Sequence, residues 1–116
     1  MKRGQVWLVS FDPTLGREQA GQRPALVVSV DDFNDSAADL VTVLPITSRA
    51  RSLPTRIRIA PPEGGLRLES WVIGEQIRTV SKTRLRAYLG VVSSTTFGSV
   101  MDVVGMLLGF PWENSN

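Results

Sequence analysis

With 116 residues, 42% of them hydrophobic, the chain has enough apolar material for one core and too little length to divide into two. It contains no cysteine and no histidine, which excludes disulfides, thiol nucleophiles, thiolate zinc sites and imidazole acid-base chemistry. The formal net charge is only +2, yet eleven of the thirteen basic residues are arginine, whose planar forks match phosphate oxygens and stack on bases, so the bias leans toward a phosphate-bearing partner.

The opening Met1-Lys2-Arg3-Gly4 leads into a strand pattern rather than a signal segment. No window reaches the roughly eighteen apolar residues of a membrane span, so a soluble, cytoplasmic protein without membrane contact is expected. Residues 5–11 read as the first strand, with Val6 and Leu8 on one face and Trp7, Val9 and Phe11 on the other. Apolar character on both faces suits a strand inside a small closed barrel. Asp12, Pro13, Gly16 and Gly21 are turn residues, so the chain leaves the sheet as a loop of about twelve residues before the next apolar run. That loop carries Arg17, Glu18, Gln19 and Gln22 and ends at Arg23, which Pro24 biases toward extended geometry. It reads as a polar flap over a site, anchored by Arg23.

Residues 25–30 form a short continuous apolar run, a central strand. The acidic stretch 31–39 suits one helical turn, and its Asp31, Asp32 and Asp35 lack the glycine and terminal glutamate of a calcium loop. Neither a metal site nor a cofactor is expected. Residues 40–46 form a third strand, with Thr47 and Ser48 where it runs out, followed by a basic loop with Arg49 and Arg51, broken at Pro54. Residues 56–59 alternate strictly, which puts Arg56 and Arg58 on one face as a positive stripe and the isoleucines on the other. A turn at 61–65 precedes a long strand over 71–80, bent or bulged at Gly74. Ser81 can cap one turn through Leu85, and 88–92 return as the last strand.

From Ser94 the period becomes helical: Phe97, Val100, Met101, Val104 and Leu108 share a stripe behind Ser93, Ser94 or Thr95 as N-cap. Val103, Met106 and Leu107 lie off that stripe, so the helix is apolar over more of its circumference than one sheet covers. A subunit contact and a deeply embedded core helix both fit this pattern. Six or so strands with one terminal helix make the fold mainly β, a small SH3-like barrel, with one domain over 1–110 and a flexible tail at 111–116. Arg23, Thr47-Ser48 and Glu75-Gln76-Ile77-Arg78 are polar ends of strands that can be neighbours, and together they would line one groove beneath the flap.

Several of these stretches resemble the MazF/PemK family of toxin endoribonucleases. The resemblance runs through Arg3-Gly4-Gln5-Val6-Trp7, Phe11-Asp12-Pro13-Thr14, the segment from Gly16 to Val28 containing Glu18-Gln19-Ala20-Gly21-Gln22-Arg23-Pro24, then Leu44-Pro45-Ile46-Thr47-Ser48, Leu53-Pro54, Glu75-Gln76-Ile77-Arg78-Thr79-Val80 and the terminal helix. It implies a dimeric barrel of CcdB/PemK type that cuts single-stranded RNA without metal, leaving a cyclic phosphate and a 5′ hydroxyl. A cognate antitoxin with an acidic, disordered tail is the implied partner. The family's catalytic arginine and threonine fall on Arg23 and Thr47, and its flap glutamate on Glu18. RNA contacts are expected from Gln19, Ser48, Arg49, Arg51, Arg56, Arg58, Gln76 and Arg78. The flap tip, 49–53 and the segment after Val30 depart from the family pattern, so the cleavage sequence does not carry over.

The residue inventory suits that chemistry. RNA supplies its own nucleophile, the 2′ hydroxyl, so the protein has to orient the strand and stabilise charge on a phosphorane. Arg23 can fork onto the nonbridging oxygens and Thr47 can donate to them. A guanidinium is a poor base and Glu18 an easier one, and the proton relay stays open. Two other functions compete: a noncatalytic gyrase-inhibiting toxin of the same fold, which needs a protein-binding patch near the terminal helix and has no use for an Arg/Thr pair, and a single-strand binding module with Trp7, Phe11 or Trp71 as stacking platforms.

Overall fold

The computed structural model describes residues 1–11 and 21–112. They form seven strands: β1 (Gln5–Ser10), β2 (Gln22–Val27), β3 (Leu40–Thr47), β4 (Arg56–Ile59), β5 (Ser70–Ile73), β6 (Arg78–Ser81) and β7 (Leu85–Val91). Two α-helices complete the set, a single turn α1 (Asp31–Asn34) and the closing α2 (Ser94–Leu108). All pairings are antiparallel, in the order β4-β5-β3-β2-β1-β7, with β6 paired to β3 beside β5. No helix among the described residues is long and apolar enough to cross a membrane.

Both faces of the sheet are buried. One bears Val9, Ala25, Val27, Val41 and Val43, closed over by Val80 of β6 and Leu85 of β7. Those two strands lie at opposite ends of the path β6-β3-β2-β1-β7, so their meeting in one cluster means that the sheet curls into a barrel. The other face bears Val6, Leu26, Leu44, Ile46, Ile59 and Val72, with Val100 and Val104 of α2 packed on it. At about 1.5–3 kcal/mol per fully buried aliphatic side chain, these two clusters hold the strand register that positions everything below. Ser93 caps α2 by accepting from the Thr96 N–H at 3.1 Å, and Gly109 ends it in the left-handed region at φ 78°.

Three sequence expectations need correction. Arg23 lies inside β2 rather than at its opening, because β2 begins at Gln22 and pairs with β1 as far as Ser10↔Gln22. The long strand over 71–80 is two strands, β5 and β6, separated by a 3-10 turn at Gly74–Gln76. There the Gly74 N–H donates to the Thr55 carbonyl at 2.9 Å, so close that a Cβ on Gly74 would stand 2.7 Å from that oxygen. The backbone has to leave the strand to make this contact. The last strand starts at Leu85 rather than Tyr88, directly after the turn that Ser81 caps. The expected tail is described only at Pro111 and Trp112.

Candidate functional site

Side chains alternate across a strand, so the register fixes which residues share a face. On β2, Arg23 shares the face of Ala25 and Val27. The pairs Val9↔Arg23, Val43↔Arg78 and Ala25↔Pro45 bring Phe11, Arg78 and Thr47 to that same face. Thr47↔Trp71 and Arg58↔Trp71 extend it across β5 to β4. The interior of the barrel is thus aliphatic at its centre and turns polar where these strands end.

The β2–β3 ladder stops at Ala25↔Pro45. Pro24 and Pro45 have no N–H to donate, so they cannot continue the bonding. Carried two residues further, the same register sets Arg23 opposite Thr47, within the reach of cross-strand neighbours. Both are half-buried. Thr47 Oγ1 accepts from the Arg49 N–H at 3.1 Å, which leaves its own O–H free to donate to a ligand. Arg78 of β6, paired with Val43 four residues before Thr47, reaches across the curled sheet and holds its guanidinium 4.8 Å from the centre of the Phe11 ring. Arg84, not singled out by the sequence, points a guanidinium nitrogen at the Ser10 carbonyl, 3.5 Å away. The result is an arginine-rich rim around one aromatic ring and one oriented hydroxyl.

The positive stripe expected on β4 is neutralised. Arg56 and Arg58 do share a face, but Arg56 pairs with Glu75 at 2.9 Å and Arg58 pairs with Glu69. The Arg56 side chain is only 6% exposed, which withdraws it from the surface. These are the only ion pairs among the described residues, so Arg23, Arg49, Arg51 and Arg78 have no carboxylate partner there. Ser48, Arg49, Arg51, Gln76 and Arg78 are all exposed. Glu18 and Gln19 lie outside the described residues. Among those described, no three potential ligands of the His, Cys, Asp and Glu types converge to hold a metal.

Glu75 clamps the 3-10 turn that carries Gln76. Its carboxylate accepts from Arg56 and, at 2.7 Å, from the Thr55 hydroxyl. The Arg56 hydrogen bonds dominate and lower its pKa from an ordinary 4.5 to about 2. A depressed folded pKa contributes stability that is complete above the unfolded value and disappears as pH falls through the folded one. With Glu75 32% exposed, solvent screening holds this contribution to about 1 kcal/mol. Urea midpoints measured from pH 5 to pH 2 should therefore fall more steeply in the parent chain than in Glu75→Gln. Parallel acid limbs would show that the clamp adds nothing.

Residues 2–108 match the family described as PemK-like, MazF-like toxin of type II toxin-antitoxin system. The chain is 34% identical over 113 residues to Endoribonuclease MazF9 of Mycobacterium tuberculosis, covering 93% of this chain and 96% of that protein. It is 36% identical over 110 residues to Endoribonuclease PemK of Escherichia coli, covering 93% and 82%. Among solved structures it is similar to a mycobacterial endoribonuclease in complex with its cognate antitoxin, with TM-score 0.79, 28% identity and coverage of 97% and 99%. MazF from Deinococcus radiodurans gives the same TM-score and identity, covering 95% and 97%.

Proposed function

The chain belongs to the PemK-like, MazF-like toxin family of type II toxin-antitoxin systems, and on that premise we propose that it is a cytoplasmic endoribonuclease acting on single-stranded RNA. It cuts by attack of the 2′ hydroxyl on the adjacent phosphorus, with neither metal nor cofactor, and leaves a 2′,3′-cyclic phosphate and a 5′ hydroxyl. This reading is supported by the β2–β3 register, whose continuation past Ala25↔Pro45 sets Arg23 opposite Thr47. Arg23 balances charge on the nonbridging oxygens as the phosphorane forms. Thr47, its lone pair engaged by the Arg49 N–H, directs its proton to the same group. We assign the general base to Glu18 of the flap, since a carboxylate accepts a proton more readily than a guanidinium gives one up.

Phosphates flanking the cut fall to Arg49, Arg51 and Arg78, with Ser48, Gln19 and Gln76 on the sugars and bases. Arg56 and Arg58, occupied by Glu75 and Glu69, are removed from that role. Arg49, Arg51 and Arg78, without a carboxylate partner among the described residues, attract an acidic, disordered antitoxin tail, which blocks the groove by folding onto it. Replacing Arg49 and Arg51 together with Ala should weaken RNA binding. The salt slope should flatten by up to about one unit per lost phosphate contact, and an acidic antitoxin-tail peptide should bind less tightly. Unchanged affinity and slope for RNA would place this loop outside the groove.

A further inference from the structure

Behind the strand ends, on the sheet face opposite Arg23, lies a cavity of about 170 Å³. Pro24, Ile46, Leu66 and Leu68 line it, Arg67 stands beside them, and Thr47 contributes to its wall. A cavity of about 150 Å³ lined by aliphatic side chains is known to hold one benzene molecule, so this one has room for a single planar ring. Its wall between the 3-10 turn Glu63–Gly65 and β5 is already set: Leu66 is 7% exposed, anchored in the core, and the Ser70 hydroxyl donates to the Leu68 carbonyl at 2.8 Å. Leu68 itself is 64% exposed, an aliphatic side chain at the rim with its surface uncovered. Arg67 is exposed and has no ion-pair partner among the described residues.

We propose that this cavity is the seat for one unpaired nucleobase of the RNA next to the scissile phosphate, and that Arg67 and Leu68 help to set the cleavage sequence. The inference rests on the nuclease reading above and deepens it. Thr47 belongs to both places: its side chain shares the face of Arg23, where its hydroxyl serves the phosphate, and the residue also lines the cavity. A nucleotide whose phosphate meets Thr47 therefore has its base within reach of the cavity. The apolar walls take the flat faces of the ring, and the Arg67 guanidinium can stack at the entrance or pair with the neighbouring phosphate.

The test begins by mapping the cut made by the parent protein in a single-stranded RNA. That RNA is then prepared with a 2′-deoxy sugar at the nucleophile, which prevents cleavage, and with an abasic residue at each flanking position in turn. One flanking position should be sensitive, losing about 5- to 100-fold in affinity when its base is removed, the range for loss of one base stack. Leu68→Ala and Arg67→Ala change exposed positions and should fold. In each, the intact RNA should bind more weakly and the abasic penalty at that one position should shrink severalfold, while penalties elsewhere persist. An unchanged penalty in both variants overturns the subsite, as does a parent protein that cuts RNA but has no sensitive flanking position. A parent protein that neither cuts nor binds RNA overturns the nuclease reading itself, and the subsite with it.

Discussion

Arg23→Ala and Thr47→Ala should each lower the rate of RNA cleavage by about 10²- to 10³-fold, the loss typical of removing one transition-state hydrogen-bond donor, while the barrel remains folded. Both side chains are half-buried, Arg23 one residue inside β2 and Thr47 at the end of β3, and neither belongs to the two apolar clusters. Truncating them leaves the aliphatic packing intact, so stability should change by roughly 1 kcal/mol or less, as for substitutions away from the core. The two variants should also differ from each other. Arg23→Ala removes a full charge and should weaken RNA binding as well as catalysis, whereas Thr47→Ala removes one hydroxyl and should affect mainly the rate at saturating RNA. Either variant cutting within about twofold of the parent, against losses of 10² or more for a true donor, would mean that the residue has been misassigned.

The second large effect is expected on assembly. The end of α2 and the residues just beyond it leave Met106 63%, Leu108 55% and Phe110 61% exposed. Beside them two adjoining hollows of about 420 and 230 Å³ run between this helix and Ile77, sharing Ile77, Val104 and Leu108 in their walls. Soluble monomers rarely leave an apolar patch this concentrated uncovered, and a second copy of the chain is the cover we assign. Light scattering should then give a mass near 25 kDa, twice the 12.7 kDa chain. Leu108→Glu buries a charge in that contact, which costs about 2–5 kcal/mol when unpaired, and should bring the mass down to that of a single chain without unfolding it. A parent protein that is monomeric at micromolar concentration, or a Leu108→Glu variant that stays dimeric, would remove α2 from the interface.

Where the sequence is locally decisive, it foretells the fold. Apolar residues on both faces of β1 call for a barrel, and Val6 and Val9 are each wholly buried on opposite sides of the sheet. Ser81 and Ser93 announce turn and helix starts, and both accept the expected backbone N–H. What escapes a one-dimensional reading is everything set by contacts between distant segments. Gly74 marks an irregularity in residues 71–80, but the approach of Thr55, which turns that bend into a break between two strands, comes from another part of the chain. Arg56 and Arg58 look like a free positive stripe because the β4–β5 register that brings Glu75 and Glu69 within their reach is invisible in their own alternation.

The candidate site divides along the same line. Arg23, Thr47 and Arg78 could be proposed as groove residues from their places at strand ends. The device that frees two of those ends depends on Pro24 and Pro45, 21 positions apart, falling next to each other on β2 and β3. Arg67 and Leu68 carry no signal of their own, since an arginine and a leucine before a strand are ordinary, and only the cavity behind Thr47 distinguishes them. Glu18 and Gln19, central to the sequence reading, lie outside the described residues.

The chain is expected to cut RNA through its own side chains and the substrate's own hydroxyl. Purified protein incubated with end-labelled single-stranded RNA in EDTA, followed by analysis of the new ends, tests it most directly. The expected result is cleavage at a few discrete positions at a rate unaffected by EDTA, with 5′ ends that a polynucleotide kinase labels without prior phosphatase treatment and 3′ ends closed as cyclic phosphates. Intact RNA, cleavage that returns only with added magnesium, or new 5′ ends that already carry phosphate would rule out metal-free attack by the 2′ hydroxyl.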